Sequence, residues 1–254
     1  MTIYFFLFLI GLALGSFFNV IIYRWSRGLS IVYPPSHCPH CKKKLKWYHN
    51  IPLISYVFLK GRCAYCKEKI SLRYPLVELI TAILFLYAYL KADGLDTFIF
   101  YSFYTLILIP LSFIDLEIKE IPDSLSLSLI VAGWIFSFLG INPLLNFKMS
   151  LISSFSGAGL LFLINEFYYQ FSKREGMGMG DYKLMAGIGS FLGYRSFYTV
   201  LFLASVFGII AFLLLILFRK KEKKHYGLTY ELPFGPFLSL ASLCYLYNWI
   251  RINI

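Results

Sequence analysis

A chain of 254 residues that is 59% hydrophobic, 20% aromatic and only 15% charged carries more apolar surface than one soluble core can hide, so most of it has lipid for a solvent. The formal net charge of +11 sits in a few blocks with no nucleic-acid recognition fold beside them. That pattern argues against nucleic acid and for an anionic bilayer surface as the partner of the basic residues.

The first apolar stretch, residues 3–23, has the length of a bilayer span. It is longer than a typical signal core, has no positive charge ahead of it and lacks a small-x-small cleavage site, so it is expected to be a retained first helix. Positions 24–73 follow with eleven Lys and Arg against a single acid, Glu68, and the positive-inside rule puts this loop in the cytoplasm. Within it lie Cys38-Pro39-His40-Cys41 and, after 21 intervening residues, Cys63-Ala64-Tyr65-Cys66. Paired C-x2-C knuckles let four thiolates converge tetrahedrally on one zinc and leave no open position, which makes the expected metal structural. Two disulfides or a rubredoxin-like iron are the alternatives; a reducing cytoplasm disfavours disulfides. His37, His40 and His49 are read as solvated loop residues, because the thiolate set is already complete, and Cys244 as a small apolar core residue.

Further candidate spans lie at 74–90, 97–114, 124–141, 149–171 and 196–218, with weaker ones at 183–193 and 234–250. Eight spans leave Lys91, Lys148, Arg195 and Arg251 outside and every other Lys and Arg inside, including a second basic cluster at 219–224. The expectation is an all-α, polytopic membrane protein with about eight transmembrane helices, both termini outside and a cytoplasmic four-cysteine zinc loop.

Acids are scarce, 13 in all, so those beside helix ends are candidate functional groups. Asp115 follows an apolar run and opens Asp115-Leu-Glu117-Ile-Lys-Glu120-Ile121-Pro122-Asp123, where Pro122 is expected to stop one helix and Asp123 or Ser124 to cap the next. Asp181 lies in Gly178-Met179-Gly180-Asp181-Tyr-Lys183, where the glycines suit positive φ and close approach of another chain. By the span count Asp115 closes the third span and Asp181 opens the sixth, so the two share the cytoplasmic depth. Two carboxylates brought close together share a proton, one acting as base on a water and the other as acid to a scissile carbonyl. A pair of helix-capping aspartates is the plainer alternative. An ion-coupled transporter is another, although it predicts acids near the bilayer midplane and an internal repeat. A zinc-loop adaptor with no catalysis is a third.

At these residues the chain resembles the type IV prepilin peptidase family. The resemblance runs through Gly15-Ser16-Phe17-Phe18-Asn19-Val20 with Arg24, the two cysteine knuckles, Asn50-Ile51-Pro52, Gly61-Arg62-Cys63 and Arg73-Tyr74-Pro75-Leu76-Val77-Glu78. It continues through the Asp115 to Asp123 motif, Gly178-x-Gly180-Asp181-x-Lys183 and Pro233-Phe234-Gly235-Pro236-Phe237. Met179 stands where a small residue is often found and Tyr56 where Trp is frequent. The resemblance implies a bacterial inner-membrane aspartyl protease that cuts type IV prepilins or pseudopilins after the glycine ending a basic leader. Asp115 and Asp181 match its catalytic pair. It also implies N-methylation of the new amino terminus by S-adenosylmethionine, with Gly61, Arg73 and Glu78 as candidates for that step; no nucleotide-binding βαβ unit is readable in the chain. Residues 1–95 then form an anchor plus zinc-binding, methyltransferase-associated region and 96–254 the peptidase region. Another Gly-x-Gly-Asp intramembrane protease is the nearest rival, but would not be expected to have the cysteine loop. Gly178 and Gly180 are expected to line the place where substrate backbone lies. Glu117, Glu120 and Asp123 are expected to receive the basic leader, and Lys183 either to act on an aspartate or to reach the phosphate layer.

Overall fold

The computed structural model describes residues 2–173, 176–219 and 232–248. Among them the architecture is all-helical, with α1 (Thr2–Trp25), α2 (Ile54–Phe58), α3 (Arg73–Lys91), α4 (Leu95–Ile118), α5 (Asp123–Phe138), α6 (Phe147–Ser172), α7 (Met179–Leu192), α8 (Ser196–Arg219) and α9 (Gly235–Leu246). The expectation of an all-α membrane protein holds. Five helices, α1, α3, α4, α6 and α8, are long and apolar enough to cross a bilayer. The other three expected spans are the shorter helices α5, α7 and α9, of 16, 14 and 12 residues. At about 1.5 Å per residue each falls short of a roughly 30 Å hydrocarbon core. Most of the second basic cluster, Arg251 and the end of the eighth expected span lie outside the described residues.

The chain forms two compact units, Met1–Pro110 and Leu111–Ile254. In the first, α1 packs along α3 through small residues. A Cβ placed on Gly11 would lie 2.6 Å from the Ala82 Cα, and one on Gly15 2.6 Å from the Glu78 Cα. Lipid tails give no hydrophobic drive to bring helices together, so this backbone approach and its van der Waals contact hold the pair. One turn on, Asn19 Nδ2 donates to the Tyr74 carbonyl at 2.9 Å, the polar end of the same seam. Arg24, buried at the end of α1, donates from Nη1 to the carbonyls of Ser30 and Ile31, both at 2.9 Å, and from Nη2 to that of Pro34. The guanidinium thus gathers the chain leaving the helix.

Helix α4 passes the boundary between the units at Pro110, which has no N–H to give to the preceding turn. In the second unit, α7 is the central element, with Leu184 to Leu192 buried without a break. Its burial depends on small residues. A Cβ on Gly187 would meet Leu129 of α5 at 2.6 Å, and Gly189 lies against the Ser153 carbonyl of α6. On the facing helices, a Cβ on Gly157 of α6 would lie 2.8 Å from the Met185 carbonyl oxygen, and one on Gly133 of α5 would run into Ser190. Side chains add the polar ties: Ser150 Oγ to the Ser190 carbonyl at 2.7 Å and Asn142 Nδ2 to that of Phe191 at 3.2 Å. A helix buried on every side needs no long apolar run, which is why α7 read as a weak span.

Candidate functional site

Two groups of chemistry-bearing residues stand out, one in each unit. In the first unit the segments 36–45 and 61–70 fold as the same knuckle twice, 25 residues apart. In each, the cysteine N–H donates to the carbonyl five residues on (Cys38 to Lys43, Cys63 to Glu68), and the cysteine carbonyl accepts the N–H four residues on (Lys42, Lys67). In each, one bridge closes the hairpin, His37 with Lys44 and Arg62 with Lys69. The residue after the second cysteine turns left-handed in both, Lys42 at φ 55° and Lys67 at φ 60°. The duplication is a feature beyond the C-x2-C spacing itself. Its signal was available in S-H-C-P-H-C-K-K-K-L against G-R-C-A-Y-C-K-E-K-I.

The paired knuckles bring the sulfurs of Cys38, Cys41, Cys63 and Cys66 within 4.8 Å of one another. Cys38 Sγ and Cys66 Sγ are 3.8 Å apart. A tetrahedron with zinc–sulfur bonds of about 2.3 Å has edges of about 3.8 Å, so the thiol set fits one zinc. Burial pushes the Cys63 thiol up, but the backbone N–H groups of Cys66 and Tyr65 and the sulfurs of Cys38 and Cys66 outweigh it and bring it down to about 7. Cys38 moves the other way, chiefly through burial. A divalent cation bound there would convert all four thiols to thiolates. His49 packs edge-on against Tyr65 at 5.4 Å between ring centroids. The cluster has no histidine member.

The three methyltransferase candidates have structural contacts. Gly61 turns at φ +67°, with the Tyr56 hydroxyl 2.9 Å from where a Cβ would stand. Tyr56 donates in turn to the Ile70 carbonyl at 3.2 Å. Glu78 is buried and its Oε2 accepts the Leu53 N–H at 2.8 Å, where the chain turns left-handed at φ 58° to start α2. Arg73 opens α3 with its guanidinium over the Tyr74 ring.

In the second unit Asp115 lies inside α4, which runs on to Ile118, four residues past the apolar run that ends at 114 and four short of Pro122. Leu116 and Glu117 favour helix despite their exposure, and the chain leaves α4 only at Lys119, φ 58°. Asp115 is buried at 4% exposure. Its Oδ2 accepts the N–H of Gly235, the first residue of α9, at 3.0 Å. Asp181 sits half-buried in the first turn of α7, directly after Gly180. Ile121 packs against both Gly180, the neighbour of Asp181, and Gly235, the partner of Asp115. A Cβ on Gly180 would meet the Ile121 Cβ at 2.8 Å, and one on Gly235 would meet the Ile121 Cδ1 at 3.0 Å and the Asp115 Oδ2 at 2.5 Å. The ends of α4, α7 and α9 therefore converge around the two carboxylates.

Three local expectations change. Neither Asp123 nor Ser124 caps α5; Pro122 holds that position with no side-chain cap, because Asp123 is already inside the first turn. Asp123 instead accepts from Lys183 Nζ at 2.6 Å, an ion pair joining the starts of α5 and α7. Gly178 is extended at φ −81° and Gly180 is helical, so neither glycine serves a left-handed turn. Gly180 is required by the approach of Ile121, whereas a Cβ on Gly178 would meet nothing nearer than 4.0 Å. Glu117, in the last turn of α4, and Glu120, just beyond it, are exposed.

The Bacterial Peptidase A24 N-terminal domain matches residues 9–92 and the Type IV leader peptidase family matches residues 102–213. The chain is also 35% identical to the prepilin leader peptidase/N-methyltransferase of Aeromonas hydrophila, over 96% of this chain and 88% of that one. The chain belongs to the type IV leader peptidase family. The enzyme of the same name from Neisseria gonorrhoeae is 32% identical over 91% of this chain and 86% of its own. That from Klebsiella pneumoniae is 39% identical over 79% and 90%. No solved structure matches the chain at a significant level.

Proposed function

We propose that this chain, an enzyme of the prepilin leader peptidase and N-methyltransferase kind, cleaves type IV prepilins or pseudopilins with Asp115 and Asp181. What carries the reading is the convergence of a buried Asp115 and a half-buried Asp181 around Ile121 in a member of this family. One carboxylate takes a proton from a water, the water oxygen attacks the scissile carbonyl carbon, and the protonated partner gives its proton to the carbonyl oxygen. Collapse of the tetrahedral intermediate breaks the C–N bond, and the leaving amine takes the proton held by the base. Neither a metal nor a covalent intermediate is needed.

The cleavage site is the glycine that ends the basic leader, at the cytoplasmic face of the inner membrane, where the positive-inside rule also puts the cysteine loop. Substrate backbone has to leave the helical form to be cut, and Gly178, open on the side where a Cβ would stand, leaves room for it. The leader meets Glu117 and Glu120; Asp123, engaged by Lys183, contributes less. The four cysteines hold a structural zinc, which would fix the fold of the loop when bound. S-adenosylmethionine is the methyl donor of the second activity, and residues 1–95 are the region associated with it. Gly61, Arg73 and Glu78 are the residues to vary there. Their observed contacts are structural: the turn at Gly61, the Leu53 N–H held by Glu78 and the Tyr74 ring under Arg73.

The test is cleavage of a synthetic prepilin by purified protein in detergent, with Asp115→Asn and Asp181→Asn beside the native chain and the products weighed. Both variants are expected to be folded and inactive. Full cleavage by either one would overturn the dyad, and no added methyl mass on the native product would overturn the second activity.

A further inference from the structure

The segment Pro233-Phe234-Gly235-Pro236-Phe237 lies 120 residues from Asp115 and has had no role assigned so far. Its geometry gives it one. Gly235 is the first residue of α9, and the next residue, Pro236, has no N–H, so the Gly235 N–H is the donor at that point of the helix start. It is directed at the buried Asp115 Oδ2, 3.0 Å away. The approach is tight enough that a single methyl group at position 235 would stand 2.5 Å from that oxygen and 3.3 Å from the carboxylate carbon. No other residue type could bring its backbone this close.

We infer that Gly235 is a positioning residue for peptide cleavage, its backbone N–H tying down Asp115 Oδ2 so that Oδ1 is left for the shared proton or the attacking water. The inference rests on the two-aspartate reading above. A carboxylate held by a fixed donor keeps one orientation through the reaction, so nothing has to reorganise as charge develops. The opposite assignment is that Asp115 merely caps α9. In that case losing the bond would cost stability and leave turnover alone.

The two are separated by replacing the Gly235 amide with an ester, through glycolic acid introduced at that codon by nonsense suppression, which deletes the N–H and adds no atoms. The expected result is a fall in kcat of about tenfold or more, as for a lost hydrogen bond to a charged group, with KM for the prepilin unchanged. Unchanged kcat with a lowered Tm would overturn the inference in favour of a cap. A second arm uses Gly235→Ala, expected to lose about a hundredfold in kcat through displacement of the carboxylate, with and without Ile121→Val. Ile121→Val deletes the Cδ1 that the new methyl would meet at 3.0 Å but leaves the clash with Asp115. Failure to rescue is expected, and full rescue would mean that packing alone is at stake. Asp115→Asn and Asp181→Asn are run alongside. If they cleave normally the two-aspartate reading itself fails, whereas dead aspartate variants with a fully active ester fail only the role of Gly235.

Discussion

The cysteine loop and the carboxylate site hold their functional atoms in opposite ways. In the loop, the backbone hydrogen bonds that shape each knuckle join residues within ten positions of each other, and the two knuckles bring their four sulfurs together. Apolar side chains there are exposed rather than packed, with Trp47 at 79% and Phe58 at 83%. Around Asp115 the groups come from helix ends far apart in the chain, and they are fixed by glycines that let backbones touch. A local turn with a cross-link tolerates sequence change between its ligands. Glycine-mediated packing tolerates almost none at the contact, because an added methyl has nowhere to go.

The sharpest way to break this comparison is to disable each site and read the other. Asp115→Asn or Asp181→Asn is expected to lower cleavage by about three orders of magnitude or more, while methylation of an already cleaved substrate persists. Loss of both activities together would mean that the two units do not work as separate sites. The converse experiment is Cys38→Ser or Cys63→Ser, or prolonged chelation of the native protein. Bound zinc measured by mass spectrometry is expected to fall from about one per chain to near none, since structural zinc sites of this kind need all four ligands. Methylation should be lost with the zinc and cleavage of prepilin should remain; zinc retained in the serine variants would remove the metal from the account.

Smaller effects test the packing side. Gly187→Ala puts a methyl 2.6 Å from Leu129 and is expected to cost about 1 to 3 kcal/mol. Gly178→Ala, which meets nothing nearer than 4.0 Å, is expected to change thermal stability by no more than about 0.5 kcal/mol. Equal melting temperatures for the two variants would contradict close packing as the reason for the glycines. The smallest effect is expected at Lys183 and Asp123, whose side chains are 31% and 64% exposed. A double-mutant cycle with Lys183→Met and Asp123→Asn should return a coupling of about 1 kcal/mol or less that shrinks with salt.

Much of this was legible before any coordinates. The apolar run at 74–90 corresponds to α3, Arg73–Lys91, and that at 149–171 to α6, Phe147–Ser172. Even the faint signal at 183–193 corresponds to α7. The four metal-binding candidates could be named from C-x2-C spacing alone, since a knuckle is a local turn whose residues are neighbours in the chain. The duplicated knuckle was equally available and needed only a comparison of 36–45 with 61–70. Helix α4 runs four residues past the apolar run that ends at Ile114, because hydropathy stops there while helical hydrogen bonding does not.

What the amino-acid order determined by itself was the solvent, the helices and the set of candidate reactive side chains. Each of these follows from composition and short-range periodicity, which act through neighbouring residues. Only the tertiary structure decided that Gly235 holds Asp115, that Ile121 is wedged between Gly180 and Gly235, and that Lys183 answers Asp123. Those pairings span from 59 to 120 positions of chain. Helix packing selects them through the shapes of whole helix faces, and no local pattern in the sequence encodes which face meets which.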